Sequence, residues 1–455
     1  MKKVFFIVGG LFILALAVLL ALPYWFGMKI EETFHDRLTT LATSGGLVVA
    51  EENFERGWWS SNARTRLRSP ELPFEISAEH HIAHGPIRLD RWLGGEIALE
   101  PIQAHIATRA ELKIGTLASL PFTIDTNVAQ NGEAHAHLDV PAQNKPKEGD
   151  AEWLGVKGDV RFDAALQRIR TDFIAPRFVY GPLQISDLRF DSDLRQGVAS
   201  QYLGKMNLRI ANLTFGPMLQ ASKVGITTAS AAQGNSLTIL TSYDVLELHT
   251  PSGSFGPGRL AIALRNLDAA ALSRFQQEMN GLRQSGRPKE QIELMRIGKL
   301  MQLIGELAKQ SPELEITELR LRMGDQEISG KAKLVLDGSK SDLTRNPLLI
   351  LTAATGDAEI LLPPALLKPL LLPLLAADLD DYRRRGVLDQ TMTPAQTAAI
   401  LDQALPLYLA RHELTRRLVH EGDHYRLSAS LKRGQVLVNG EPLSFSGAGM
   451  LPQLP

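Results

Sequence analysis

The chain has 455 residues, 44% apolar and 22% charged, with a formal charge of −1, so it can build two or three cores and carries no global basic field for nucleic acid. It has no cysteine, which excludes disulfides, thiolate metal sites, iron–sulfur clusters and cysteine nucleophiles. Its 37 glycines and 25 prolines are dispersed, which excludes a collagen-like or long disordered tract and predicts many turns.

Val4 to Trp25 form an uncharged run of 22 residues between Lys2-Lys3 and Lys29. At 1.5 Å per residue the run spans a hydrocarbon core of about 30 Å. Tyr24, Trp25 and Phe26 suit an interfacial aromatic belt. The run outlasts the apolar region of a cleaved signal peptide, so residues 1–28 read as a cytoplasmic start and a retained transmembrane anchor. The two leading lysines set the N-terminus inside and the body outside the cytoplasm.

Residues 29–70 predict a short helix, with Ile30, Phe34, Leu38 and Leu41 at helical spacing, and then a first strand. A β-rich body follows over 71–266 and resumes over 313–360. Leu188, Phe190, Ser192 and Leu194 alternate with charged residues, so one face is buried and one is wet. The pattern Leu183-x-Ile185-x-x-Leu188-x-Phe190 recurs at Leu208–Phe215 and at Leu314–Leu321. Its one-residue slip predicts a bulge or bend at Ser186-Asp187, Ala211-Asn212 and Thr317-Glu318. Gly-Pro follows His84, Tyr180, Phe215 and Phe255, marking turns or edge kinks because Pro has no N–H to give a ladder.

A helical hairpin is expected over 267–312, from Asp268–Gln284 and Pro288–Gln310, and a further helical segment over 361–420. Residues 421–455 predict a C-terminal β-hairpin turning at Asn439-Gly440. The fold class is thus a single N-terminal transmembrane helix plus an α+β, mainly antiparallel β body. That body is a long curved sheet of bent strands, interrupted by helical segments.

Phe54-Glu55-Arg56-Gly57-Trp58-Trp59-Ser60-Ser61, with the ending Val436-Leu437-Val438-Asn439-Gly440-Glu441-Pro442-Leu443, resembles the YdgA-like family of bacterial inner-membrane proteins. The resemblance implies a single-pass inner-membrane protein, anchored through residues 4–25, with a periplasmic body of unassigned function. The bent-strand repeats resemble, in pattern alone, the AsmA-like envelope proteins with long β-grooves. From the residues themselves, Trp58 and Trp59 on a strand face opposite sides, and Gly57 allows a bend.

His420-Glu421-Gly422-Asp423-His424 matches a zinc-protease motif in letters. That chemistry needs both imidazoles one turn apart on an intact helix, whereas Gly422-Asp423 reads as a turn and His424 opens a strand. His80, His81 and His84 form the densest imidazole cluster, and His135 and His137 share one strand face. On exposed strands such residues are more often solvated polar groups than ligands. No catalytic residue, metal or cofactor is assigned, and no enzyme activity is expected.

Two functions remain in view. In the first, an apolar β-groove lined by Leu188, Phe190, Leu213, Phe215, Leu319 and Leu321 binds lipid or another amphipathic envelope molecule. The leucine-rich stretch 360–377, with Leu366, Leu370, Leu371 and Leu374, then serves as lid or membrane contact. In the second, the core is closed and the chain is a structural or assembly partner of an envelope protein or of itself.

Overall fold

Strands that alternate apolar and polar residues bury one face, and this chain is built mostly from such strands in antiparallel order. The computed structural model describes residues 24, 27–36, 38, 39, 42, 47–69, 73–85, 102–114, 118–143, 151–251, 253–285, 287–338, 349–367 and 417–443. The chain divides into two compact units, Met1–Leu208 with Gln276–Arg296, and Arg209–Phe275 with Ile297–Pro455.

In the first unit residues 27–36 are helical (α1). Ten strands follow: β1 Val48–Arg56, β2 Ser60–Arg68, β3 Phe74–His84, β4 Ile102–Ile114, β5 Ala118–Ala129, β6 Ala134–Val140, β7 Glu152–Trp153, β8 Val156–Phe162, β9 Arg168–Tyr180 and β10 Leu183–Gln196. Each of β1 to β5 pairs with the next, then β6 with β8, β8 with β9 and β9 with β10, all antiparallel; β7 adds to β9. One register row crosses the sheet through Phe54, Ala63, His80, Thr108, Ile124, Leu138, Gly158, Phe173 and Phe190. These residues therefore share one face, and its core is Ala63, Ile82 and Ala104 under Ile30 and Phe34 of α1.

β11 (Tyr202–Phe215) carries the chain from the first unit into the second. The second unit then holds β12 Leu219–Gln233, β13 Ser236–Val245, β14 Glu247–Thr250, β15 Gly253–Phe255, β16 Gly258–Asp268, β17 Glu313–Met323, β18 Gln326–Leu336, β19 Ala354–Leu362, β20 Val419–Glu421, β21 His424–Lys432, β22 Gln435–Val438 and β23 Glu441–Pro442. The antiparallel order is β12–β13–β16–β17–β18–β19–β21–β22–β23. β17 has one extra residue against both neighbours around Thr317, the bulge that the slip in its pattern requires. Asp187 bends β10 instead by a left-handed backbone, φ 48°.

The helical hairpin is α2 (Ala269–Gln284) and α3 (Lys289–Ala308); a short α4 (Ile350–Ala353) precedes β19. Asp268 caps α2, accepting the N–H of Ala271 at 2.8 Å and the side-chain amide of Asn235 at 2.8 Å. Burial works against its charge, but these bonds and one from Gln310 outweigh it and hold the carboxyl below its usual value. At the C-terminal hairpin Asn439 and Gly440 both have positive φ, 49° and 85°, as that two-residue turn demands.

The expected membrane anchor is corrected here. Among the described residues no helix is long and apolar enough to cross a membrane. Of the run 4–25, Tyr24 alone lies within the described residues. Its ring packs on Trp58, 4.9 Å between centroids. The single-pass inner-membrane placement, with its periplasmic body, rested on that helix and is withdrawn with it. Of the helical segment expected over 361–420, residues 361–367 and 417–420 are described, and the rest lies outside the described residues.

Candidate functional site

The Arg56–Ser61 motif is the tight connection between β1 and β2, so Trp58 and Trp59 occupy a turn and not a strand. Gly57 donates its N–H to Ser60 O at 3.0 Å, and a Cβ there would come within 2.4 Å of that oxygen. The close approach explains the glycine. Trp58 is left exposed against Tyr24, and the Arg56 guanidinium lies 5.2 Å from the Tyr24 ring centroid. Arg56 also pairs with Glu31 of α1 at 2.7 Å.

Ser61 faces inward and is fully buried beside fully buried His84. The His84 Nδ1 faces the Trp58 carbonyl at 3.2 Å and Nε2 faces Ser61 Oγ at 2.9 Å. A carbonyl only accepts, so the neutral ring carries its proton on Nδ1 and the Ser61 hydroxyl donates to Nε2. The backbone adds His84 N–H to Trp59 O at 2.8 Å. One strand turn away, His80 sits between Thr65 and Thr108, 2.9 Å from each hydroxyl, with Phe34 edge-on at 5.7 Å. Burial pushes the His80 imidazole below its usual value. His81 turns to the opposite face and meets Asn62 at 3.0 Å, so the three imidazoles do not converge.

The pairing of Ser61 with His84 was not foreseen, because it joins residues 23 apart through a register that sequence does not print. Its one signal is the period-two spacing of Ser61, Ala63, Thr65 and of His80, Ile82, His84. A serine hydroxyl bonded to an oriented imidazole is the arrangement of a nucleophile and its base. Here both groups are fully buried, His84 rests on the Trp58 and Trp59 carbonyls, and Gly27 of α1 is flush against its ring. The cluster therefore fastens α1 and the β1–β2 turn to the sheet.

The expected groove residues fall in two places. Leu188 and Phe190 lie half-buried on the apolar face of the first unit, with Phe190 stacked on Phe173 at 6.3 Å. Leu213, Phe215, Leu319 and Leu321 belong to the second unit. Leu319 stands in a register row with Tyr243, Leu260, Gly330, Ile360 and Leu427. A parallel row runs through Leu264, Leu314, Leu334, Gly356 and Leu431. Between them lies a row of smaller residues, Ile316, Ala332, Ala358 and Ala429. Tyr243, Leu314 and Leu334 keep 42%, 43% and 40% of their surface in solvent, so this apolar face is open. Phe215 is exposed at the end of β11, and Leu213 is half-buried. Leu366 is buried, with its N–H on Pro363 O at 3.0 Å, so it is not an outward lid residue. Leu370, Leu371 and Leu374 lie outside the described residues.

A depression of about 370 Å³ on the second unit has a mixed lining, with Glu315, Lys331, Lys333, Asp357, Glu359, Ser428 and Ser430 beside Ile316, Ala332, Ala358, Ala429 and Leu437. By register the charged and serine side chains are on the sheet face opposite Leu319. His420 to His424 form the β20–β21 turn, with Glu421 paired to His424, which takes both imidazoles off any helix. His135 and His137 both reach Asp159, at 2.7 and 3.4 Å. Among the described residues no group of three or more His, Asp or Glu is placed to hold a metal ion.

The family model described as bacterial protein of unknown function (DUF945) matches residues 1–446. No curated protein and no solved structure is similar enough to the chain to count as a match.

Proposed function

We propose a non-catalytic binding role for this chain, which belongs to the DUF945 family of bacterial proteins of unknown function. Its open apolar sheet face in the second unit takes the acyl part of a lipid or of another amphipathic molecule. The observation that carries the reading is the exposure of Tyr243, Leu314 and Leu334 on the face that also bears Leu319 and Leu321. Scattered exposed leucines are ordinary, but adjacent ones in register form a patch with a use. The enclosed Ser61–His84 pair and the turn at His420–His424 support a role without catalysis. We also place the chain among the YdgA-like members of its family, on the Arg56–Ser61 and Val436–Leu443 motifs.

Titration of the full chain with a fluorescent fatty acid tests the reading. Burying a whole leucine is worth about 1.5–3 kcal/mol, so covering the exposed two-fifths of Leu314 and Leu334 is worth about 1–2.5 kcal/mol together. The double variant Leu314→Ser, Leu334→Ser is expected to weaken binding roughly tenfold or more. Equal affinity in the variant and the natural chain places the ligand elsewhere.

A second reading has its own observation. Ile297, Leu300 and Met301 form an exposed apolar stripe on the second-unit part of α3, as a helix that docks on another protein or on a second copy presents. Loss of a crosslinked complex on serine substitution of Ile297 and Met301, with fatty-acid binding intact, favours that reading over the first.

A further inference from the structure

The contacts of α1 have a feature in common that a merely structural helix does not need: its underside rests on imidazoles. Gly27 lies so close to His84 that a Cβ would be 2.4 Å from Cε1. Phe34 meets the edge of the His80 ring and the ring of Phe54, 5.4 Å between centroids. His35 reaches Glu52 of β1 at 2.7 Å. We propose that α1 is a proton-sensitive latch, held on β1–β4 while His80 is neutral and released when it takes up a proton.

A proton taken up by His80 puts a charge beneath the ring of Phe34. His80 meets two hydroxyls that can turn to accept, but its ring is shielded by Phe34, and burial already disfavours its charged form.

Among the described residues, the charged or titratable groups facing this layer are Glu31 and His35 from α1 and Glu52 and Arg56 from β1. β2 and β4 contribute hydroxyls and the apolar Ala63 and Ala104. Glu31 is already paired with Arg56, so His80 does not have that carboxylate to itself, and His84 of the same strand is held by Ser61 and the Trp58 carbonyl. His35 lies 2.7 Å from Glu52 with 68% of its side chain in solvent, so that contact adds little to the docking. A histidine whose bound-state value is lowered favours docking above its free value, near 6.5, and loses that contribution as pH falls toward the lowered one. Release uncovers Ala63, Ile82 and Ala104, which extends the apolar face that also bears Phe190. The latch stands whether or not the second unit binds a ligand.

Amide hydrogen exchange of the full chain between pH 7.5 and 5.0, corrected for the intrinsic rate, tests it. Protection of residues 27–36 is expected to fall below about pH 6.5 by up to tenfold per pH unit, with β8–β10 unchanged. Unchanged protection, or a fall shared equally with β8–β10, overturns the proposal. His80→Gln keeps an amide between the two hydroxyls and cannot titrate, so its profile is expected to be flatter; a profile superimposed on that of the natural chain contradicts the part assigned to His80. Should that variant not fold, ring-proton titration of the natural chain decides. His80 titrating together with the opening of α1 supports the latch, and its titration without any change in α1 overturns it.

Discussion

Ser61→Ala isolates what the buried serine contributes. Ser61 and His84 are both fully buried and their polar atoms are 2.9 Å apart, so removing the hydroxyl leaves the imidazole Nε2 without that donor in a site closed to water. An unsatisfied buried polar group costs about 1–3 kcal/mol, and the loss falls within that range. The assay is urea denaturation followed by tryptophan fluorescence. All five tryptophans, Trp25, Trp58, Trp59, Trp92 and Trp153, lie within residues 1–208, so the signal reports on the first unit alone. The control is the neighbouring Ser60→Ala, where the side chain points to the other face and the expected change is within about 0.5 kcal/mol. If Ser61→Ala and Ser60→Ala prove equally mild, the inward pairing of Ser61 is refuted.

Asp268→Ala removes the cap of α2 and is expected to cost about 1 kcal/mol, read as lost exchange protection in the first turn of that helix. Because the Asp268 carboxyl is held low, its contribution is complete above the unfolded value of about 3.9 and disappears as pH falls through the folded one, so α2 should fray first in acid. Asn439 accepts the N–H and hydroxyl of Ser428 at 2.8 and 2.7 Å while holding a positive φ. Its replacement by Ala is expected to cost about 1–3 kcal/mol and to loosen β22–β23 selectively, measured by exchange at Val436–Val438. Gly440→Ala meets no neighbour but is strained by its φ of 85°, so a smaller loss of about 1 kcal/mol is expected there.

Local patterns with a single physical cause were readable in the sequence. Alternation at Leu188–Leu194 forecast a strand with one wet face, and the extra residue in Leu314–Leu321 forecast the bulge at Thr317. Asn439-Gly440 forecast its turn because few residue pairs accept two positive φ angles in succession. Long-range pairings were not readable. Trp58-Trp59 reads as strand in the sequence because nothing nearby announces that Gly57 folds back onto Ser60 or that His84 collects the Trp58 and Trp59 carbonyls. The uncharged run 4–25 matched a membrane span by length and composition, criteria blind to the packing of Tyr24 on Trp58. The groove residues were chosen by alternation, which identifies a face but not how open it is. That openness came from Tyr243, Leu314 and Leu334, aligned only by the register of β13, β16, β17 and β18.

The central claim is that an open apolar face binds an amphipathic molecule, and native mass spectrometry of the purified full-length chain, with extraction and identification of bound lipid, tests it most directly. The account predicts a stoichiometric amphiphile that is lost or reduced in the Leu314→Ser, Leu334→Ser variant. A chain that carries no such molecule and takes up none when fatty acid is supplied contradicts it.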